Sequence, residues 1–212
     1  VPNILAVKKT DLVGLPEGFT GCKPDGSAVL EFGEDEIMNT ILQKGFWTER
    51  SAAEKNELLK QIIVYTAIVN PQQKKIFLYR RASDQKYDEI RLRNKWSCGL
   101  GSHISEEKDG AAAPLINSFI REIKEEVGLK TGVRGFQPIG YINQESDEVG
   151  RVHLGILNIV RTGFSIIKPA DPEIAEGHMV YFHVANTILN HPDTEPEGWT
   201  KIVFPKIIDW FS

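Results

Sequence analysis

The stretch Arg121-Glu122-Ile123-Lys124-Glu125-Glu126-Val127-Gly128-Leu129 decides how this chain is read. On an α-helix each residue turns ~100°, so Glu125 falls roughly −60° and Glu126 roughly +40° from Glu122. The three carboxylates then share an arc of about 100° on one face. Ile123 and Val127, four residues apart, face elsewhere, toward a core. Crowded carboxylates raise one another's pKa unless something compensates. They can splay into water, pair with Lys124 and Arg121, or hold a divalent cation. Hard ions such as Mg²⁺ take oxygen ligands, usually one or two carboxylates with substrate phosphates completing the shell.

The helix carrying this face starts upstream. Pro114 suits an early helical position. Leu115, Phe119, Ile120, Ile123 and Val127 recur at helical spacing, and Gly128 closes the run. Before it, Gln61–Val69 and Lys75–Arg80 are β-branched and apolar runs joined by a short turn-like N-P-Q-Q-K, which predicts a hairpin. Trp96–Leu100 is a third short strand. After it, Gly135–Tyr141, Arg151–Val160 and Met179–Val184 read as strands and Val203–Phe211 as a closing helix. Strand pair, helix, strands, helix is a mixed α/β (α+β) order, not a regular βαβ winding.

The first 60 residues carry their own elements. Asn3–Lys8 reads as a strand and Asp11–Gly33 as loop and turn. Asp35–Lys44 reads as a helix with Ile37, Ile41 and Leu42 on one face. Ser51–Lys60 reads as a helix with Ser51 as N-cap and Glu54 completing a capping box. Residues 1–60 are thus expected as an N-terminal extension packed on a core domain of residues 61–212.

Of the 212 residues, 41% are hydrophobic and 25% charged, as in ordinary soluble globular proteins. A net charge of −4 gives no bulk attraction to nucleic acid or to an anionic membrane, but leaves room for a small phosphorylated ligand. Cys22 and Cys98 form no C-x-x-C motif, so a disulfide framework or a cysteine zinc site is not expected. The opening V-P-N-I-L-A-V-K-K is too quickly charged for a secretory signal, and no apolar run approaches the ~20 residues of a membrane span. A reducing, cytoplasmic setting is expected.

Arg121–Leu129 resembles the second half of the Nudix hydrolase signature, G-x5-E-x7-R-E-U-x-E-E-x-G-U with U a bulky apolar residue, at every specified position. W-S-C-G-L-G-S-H-I at Trp96–Ile104 is similar to the strand and Gly-Gly-x-I entry that precede the signature. The resemblance covers residues 61–211. Its first half departs from the pattern. The positions due for the glycine and the first glutamate hold Glu107 and Ala113, and the gap from Gly101 to Arg121 is 20 residues where the family has 14. An insertion of five or six residues within Ser105–Ala113 accounts for this. The lost glutamate's role then passes to Glu106, Glu107 or Asp109, or disappears.

The resemblance implies a mixed sheet sandwiched between helices and a pyrophosphate-cleaving activity with Mg²⁺ or Mn²⁺. Glu125 and Glu126 would be the principal metal ligands. Glu122 would ligate a second ion or orient a metal-bound water, and the backbone carbonyl near Ser102 would complete the shell. Arg121 would hold a catalytic glutamate by a charge-assisted hydrogen bond. A general base is expected in Asp171–His178, Glu176 first and Glu173 second, and otherwise in Gln144–Gly150. Arg80, Arg81 and Arg93, near Arg91 and Lys95, are candidates to grip substrate phosphates, and Tyr87 to stack on a base. His103 and His153 read as hydrogen-bonded structural histidines, since no zinc spacing links them. The expected substrate is a nucleoside diphosphate linked to another group, and a homodimer is an open expectation. Two other readings compete: a Nudix-fold sensor that binds a nucleotide without cleaving it, and an isomerase using Cys98 with histidine-bound metal.

Overall fold

A computed structural model describes residues 2–21, 35–83, 90–128 and 138–211. In chain order these hold β1 (Asn3–Lys8), β2 (Gly18–Gly21), α1 (Glu36–Lys44), β3 (Phe46–Glu49), α2 (Arg50–Ala53), β4 (Leu59–Asn70), β5 (Lys75–Arg81), β6 (Trp96–Ser97) and β7 (Leu100–His103). There follow α3 (Glu106–Asp109), α4 (Pro114–Val127), β8 (Pro138–Asn143), α5 (Glu148–Val152), β9 (His153–Arg161), β10 (Ile174–Tyr181), α6 (Phe182–Leu189) and α7 (Gly198–Phe211). The mixed α/β class expected from the sequence holds. No helix among the described residues is long and apolar enough to cross a membrane.

The chain divides into two compact units. The first comprises residues 1–65, 101–121 and 136–158. In it β1 pairs antiparallel with β3 and with the start of β4, in register Ala6↔Gln61. β2 pairs with β8, and β8 with β9. β1 is also tied to the segment after β7 by Leu5 N–H to the Ile104 carbonyl at 3.0 Å. The expected extension therefore supplies a sheet strand, and Ile4 and Ala6 are buried against Ala53.

The second unit comprises residues 66–100, 122–135 and 159–212. The predicted hairpin is present: the end of β4 pairs with β5 at Val69↔Ile76. β5 is flanked by β10 and β6. Tyr79, wholly buried on β5, donates its hydroxyl to the Gly99 carbonyl at 2.9 Å.

Several boundaries differ from the sequence reading, each for a local reason. The predicted helix Ser51–Lys60 shrinks to α2. Ser51 lies inside that helix and bonds Glu49, and Lys60 joins β4 with its ammonium buried against the Gly150 carbonyl at 2.7 Å. The predicted strand Met179–Val184 runs earlier, as β10, and its end becomes α6, whose Phe182, Ala185 and Leu189 are buried at helical spacing. On α1 the core face is Met38 and Ile41, while Leu42 is half exposed. On α4, Leu115, Phe119, Ile123 and Val127 are buried, and Ile120 is 57% exposed because it sits one step round from Phe119.

Candidate functional site

Helix α4 carries the signature residues. Its C-terminus is set by Gly128, which takes a φ of 65° and returns its N–H to the Lys124 carbonyl at 3.1 Å. That left-handed cap favours glycine, and it stops the helix directly after Glu126 and Val127.

In the first unit, Arg121 is clamped. Its Nε donates to Asp109 Oδ1 at 2.8 Å and its Nη2 to Asp109 Oδ2 at 3.0 Å, with further bonds to Ser102 Oγ at 3.1 Å and the His103 carbonyl at 3.2 Å. The expected insertion folds as α3. Ser105 caps it through Oγ, and the Ser105 N–H donates back to Asp109 Oδ2 at 2.8 Å. Of the three acids weighed for the missing glutamate, Asp109 is the one bound to Arg121. Glu106 instead accepts from Asn3 at 2.9 Å, and Glu107 is exposed.

In the second unit, Glu122 and Glu126 share a side-chain hydrogen bond. Burial, and then the neighbouring Glu122 charge, push the Glu126 carboxyl well above the usual carboxylate range, while the nearby Arg81 pulls it down. Glu126 Oε2 is buried and has no hydrogen-bond partner among the described residues. Glu125 is exposed on the same helix. Arg81, expected at a substrate phosphate, is instead a buried side chain ion-paired to Glu197. Asp171, not among the acids expected at the site, is one whose charge bears on Glu126. Its position in the same D-P-E loop as Glu173 was the available signal.

Glu176 lies in strand β10, not in a loop, directly across from Arg80, whose Nε donates to its Oε1 at 2.6 Å. Arg80 also reaches Asn94 Oδ1 at 2.6 Å and lines a polar cavity of about 390 Å³ with Trp96, Thr194 and Glu195. Arg93 is half buried in the turn between β5 and β6. Cys98 is buried, with its backbone N–H donating to Thr200 Oγ1 at 3.1 Å. Tyr87, Leu129 and Cys22 lie outside the described residues.

His103 and His153, expected as separate structural histidines, are brought together in the first unit. Their Nε2 atoms lie 3.1 Å apart, and the Glu54 carboxylate stands 3.5 Å from His153 Nε2. Burial, and then His153, Arg50 and Glu54 in turn, act on His103, with the net effect of lowering its pKa well below the ordinary histidine value. The ring is therefore neutral at pH 7.

No protein-family model matches the chain. Protein YmaB of Bacillus subtilis (strain 168) is 32% identical over 149 residues, 68% of each sequence. The structure of Tm1382, a candidate Nudix hydrolase, superposes with a TM-score of 0.73 at 28% identity, covering 99% of this chain and 100% of that one. The Nudix hydrolase of Alicyclobacillus acidocaldarius shares the fold at a TM-score of 0.53 and 10% identity, over 71% of this chain and 91% of that one. The Nudix domain of Shewanella oneidensis NrtR, solved with ADP ribose, does so at 0.50 and 14%, over 71% and 85%. With the Arg121–Gly128 signature on a capped helix and this fold shared along its whole length, the chain belongs to the Nudix hydrolase superfamily.

Proposed function

We propose that the protein is a cytoplasmic, divalent-metal-dependent hydrolase that cleaves the phosphoanhydride bond of a nucleoside diphosphate linked to another group. The observation that supports this most directly is Glu126. Its buried Oε2 has no hydrogen-bond partner among the described residues, and its neighbour is another carboxyl, Glu122. Such an arrangement is costly without a cation. An all-carboxylate donor set fits Mg²⁺ or Mn²⁺. Glu122, Glu125 and Glu126 would hold the ions. When bound, the ions supply Lewis acidity toward phosphate oxygens and an acidified water.

The chain's own groups serve around them. Arg81, fixed by Glu197, offsets part of the negative charge at Glu126. Glu176 is the preferred general base, held in one orientation by Arg80. Arg80 and Arg93 are the candidate phosphate donors, Arg80 from the wall of the polar cavity.

The test is turnover of a panel of phosphoanhydrides with Mg²⁺ or Mn²⁺, reading the cleavage position by mass spectrometry. ADP-ribose heads the panel because NrtR's Nudix domain binds it. The expected result is cleavage within the pyrophosphate, abolished in Glu126→Gln. Tight ligand binding with no turnover, equal in wild type and variant, would establish the sensor reading in its place.

A further inference from the structure

We propose that Glu54, His103 and His153 form a second metal centre, one that takes Zn²⁺ in preference to Mg²⁺. It uses none of the signature glutamates and does not depend on the hydrolase reading.

Three elements of the first unit converge on it. Glu54 caps the C-terminus of α2, His103 ends β7, and His153 opens β9 at the end of α5. One ligand atom from each lies within 4.8 Å of the others. The sequence hid this because the residues stand about 50 positions apart and share no spacing.

The two rings meet at a hydrogen-bond distance that one ion can also span. Two Nε2 atoms at 3.1 Å cannot both carry hydrogen. His153 Nδ1 lies 2.7 Å from the Val149 carbonyl, which only accepts, so Nδ1 holds the proton. The lone pair of the neutral ring is therefore on Nε2, aimed at His103. Metal bonds of ~2.0–2.1 Å spanning the 3.1 Å edge close at about 100°, and spanning the 3.5 Å edge to Glu54 Oε1 at about 115°. These values bracket a tetrahedral angle. A carbonyl behind Nδ1 is also the outer partner that metal-binding histidines commonly use.

A second observation comes from Gln61. It is wholly buried on β4, its Oε1 lies 2.9 Å from His103 Nε2, and its Nε2 has no hydrogen-bond partner among the described residues. A buried amide with an unsatisfied donor beside two facing imidazoles marks a polar site whose hydrogen bonding is incomplete. Gln61 Oε1 only accepts, so in the metal-free pair His103 Nε2 carries the hydrogen; a cation takes its place once that proton moves to Nδ1, and Gln61 is then free to turn its amide.

The donor set selects the ion. Two imidazole nitrogens and a carboxylate suit zinc, whereas Mg²⁺ demands oxygen. Three protein ligands leave a fourth position for water. Arg50, 3.8 Å from Glu54 Oε1, is the competing cation, and its side chain is one-third exposed. The Glu54 side chain is one-fifth exposed, while its Oε1, the atom that faces His153, is buried.

The test uses the full chain stripped with a chelator and titrated with zinc by calorimetry, and separately with Co²⁺ by visible absorption. One zinc per chain is expected, with intense four-coordinate Co²⁺ bands, unaffected by a large excess of Mg²⁺. His153→Ala should weaken zinc binding at least 100-fold and Glu54→Gln about tenfold or more, while Glu126→Gln leaves it unchanged. Should His153→Ala fail to fold, the partly exposed Glu54→Gln and the wild-type Co²⁺ spectrum decide. The proposal is overturned if wild type takes up no zinc, if Glu54→Gln binds zinc as wild type does, or if Glu126→Gln removes the binding.

Discussion

Arg121 and Asp109 face each other side-on, joined by two parallel bonds of 2.8 and 3.0 Å, with the Asp109 side chain wholly buried. Bidentate geometry of this kind is the strong form of an ion pair. It joins the signature helix to the segment where the regular signature is interrupted, so the irregular loop is anchored and not loose. Asp109→Ala leaves a mostly buried guanidinium without its partner and should cost about 3–5 kcal/mol of stability. Urea denaturation measures it. A double-mutant cycle with Arg121→Ala should return a coupling well above 1 kcal/mol; a cost within the noise of a surface mutation would mean the clamp is not formed in solution.

Glu126→Gln should move stability and activity in opposite directions. Metal-free, it removes a buried carboxyl whose charged form burial and then Glu122 oppose, and puts in its place an amide that both donates and accepts. Stripped protein should melt at an equal or higher temperature than wild type. With Mg²⁺ or Mn²⁺, hydrolysis should fall by more than the roughly 10–100-fold seen when a metal's outer partners are removed. A variant that is both less stable and fully active would count against both halves of this expectation.

These two sites differ in how much the sequence shows of them. Helix α4 is legible because its evidence is local: an early Pro114, buried Leu115, Phe119, Ile123 and Val127 at helical spacing, and a left-handed Gly128. Its acidic face follows from the same periodicity. The partner of Arg121 is legible only as a choice among three acids, since the winding of α3 selects Asp109 and turns Glu107 outward. The His103–His153 contact is not legible, because strand pairing, not spacing, brings the two rings together. Glu176 falls in a loop only if the strand starts at Met179 and runs to Val184; in the fold it lies on β10, which starts at Ile174, and Phe182–Val184 belong to α6.

The cross-strand pair Arg80–Glu176 is solvent-facing, 32% and 40% exposed, and contributes little to folding. Glu176→Gln should change stability by less than about 1 kcal/mol. If Glu176 is the base, kcat falls by about 10²–10⁴-fold with the acidic limb of the pH–rate profile lost. Unchanged kcat in Glu176→Gln would hand the role to another acid of the Asp171–Glu173 loop.

Lys60 and Glu145 set an acid limit on the first unit. The Lys60 ammonium, only 2% exposed, lies 2.7 Å from Glu145 Oε1, and Lys9 lies 2.8 Å from Oε2. Burial alone would raise the Glu145 carboxyl, but the hydrogen bonds from Lys60 and Lys9 outweigh it and hold it below its ordinary value of 4.5. A carboxyl with a depressed folded-state pKa stabilises fully above 4.5, and that contribution is lost as pH falls through the lower folded value. Lys60 works at the other end: burial lowers its pKa below 10.5, a penalty that disappears only in strong alkali. Melting temperatures between pH 7 and pH 3 should therefore fall more steeply for wild type than for Glu145→Gln, with the variant less stable at pH 7 because Lys60 keeps its charge beside the Gly150 carbonyl alone. Parallel curves for the two proteins would show that the pair is not linked to folding.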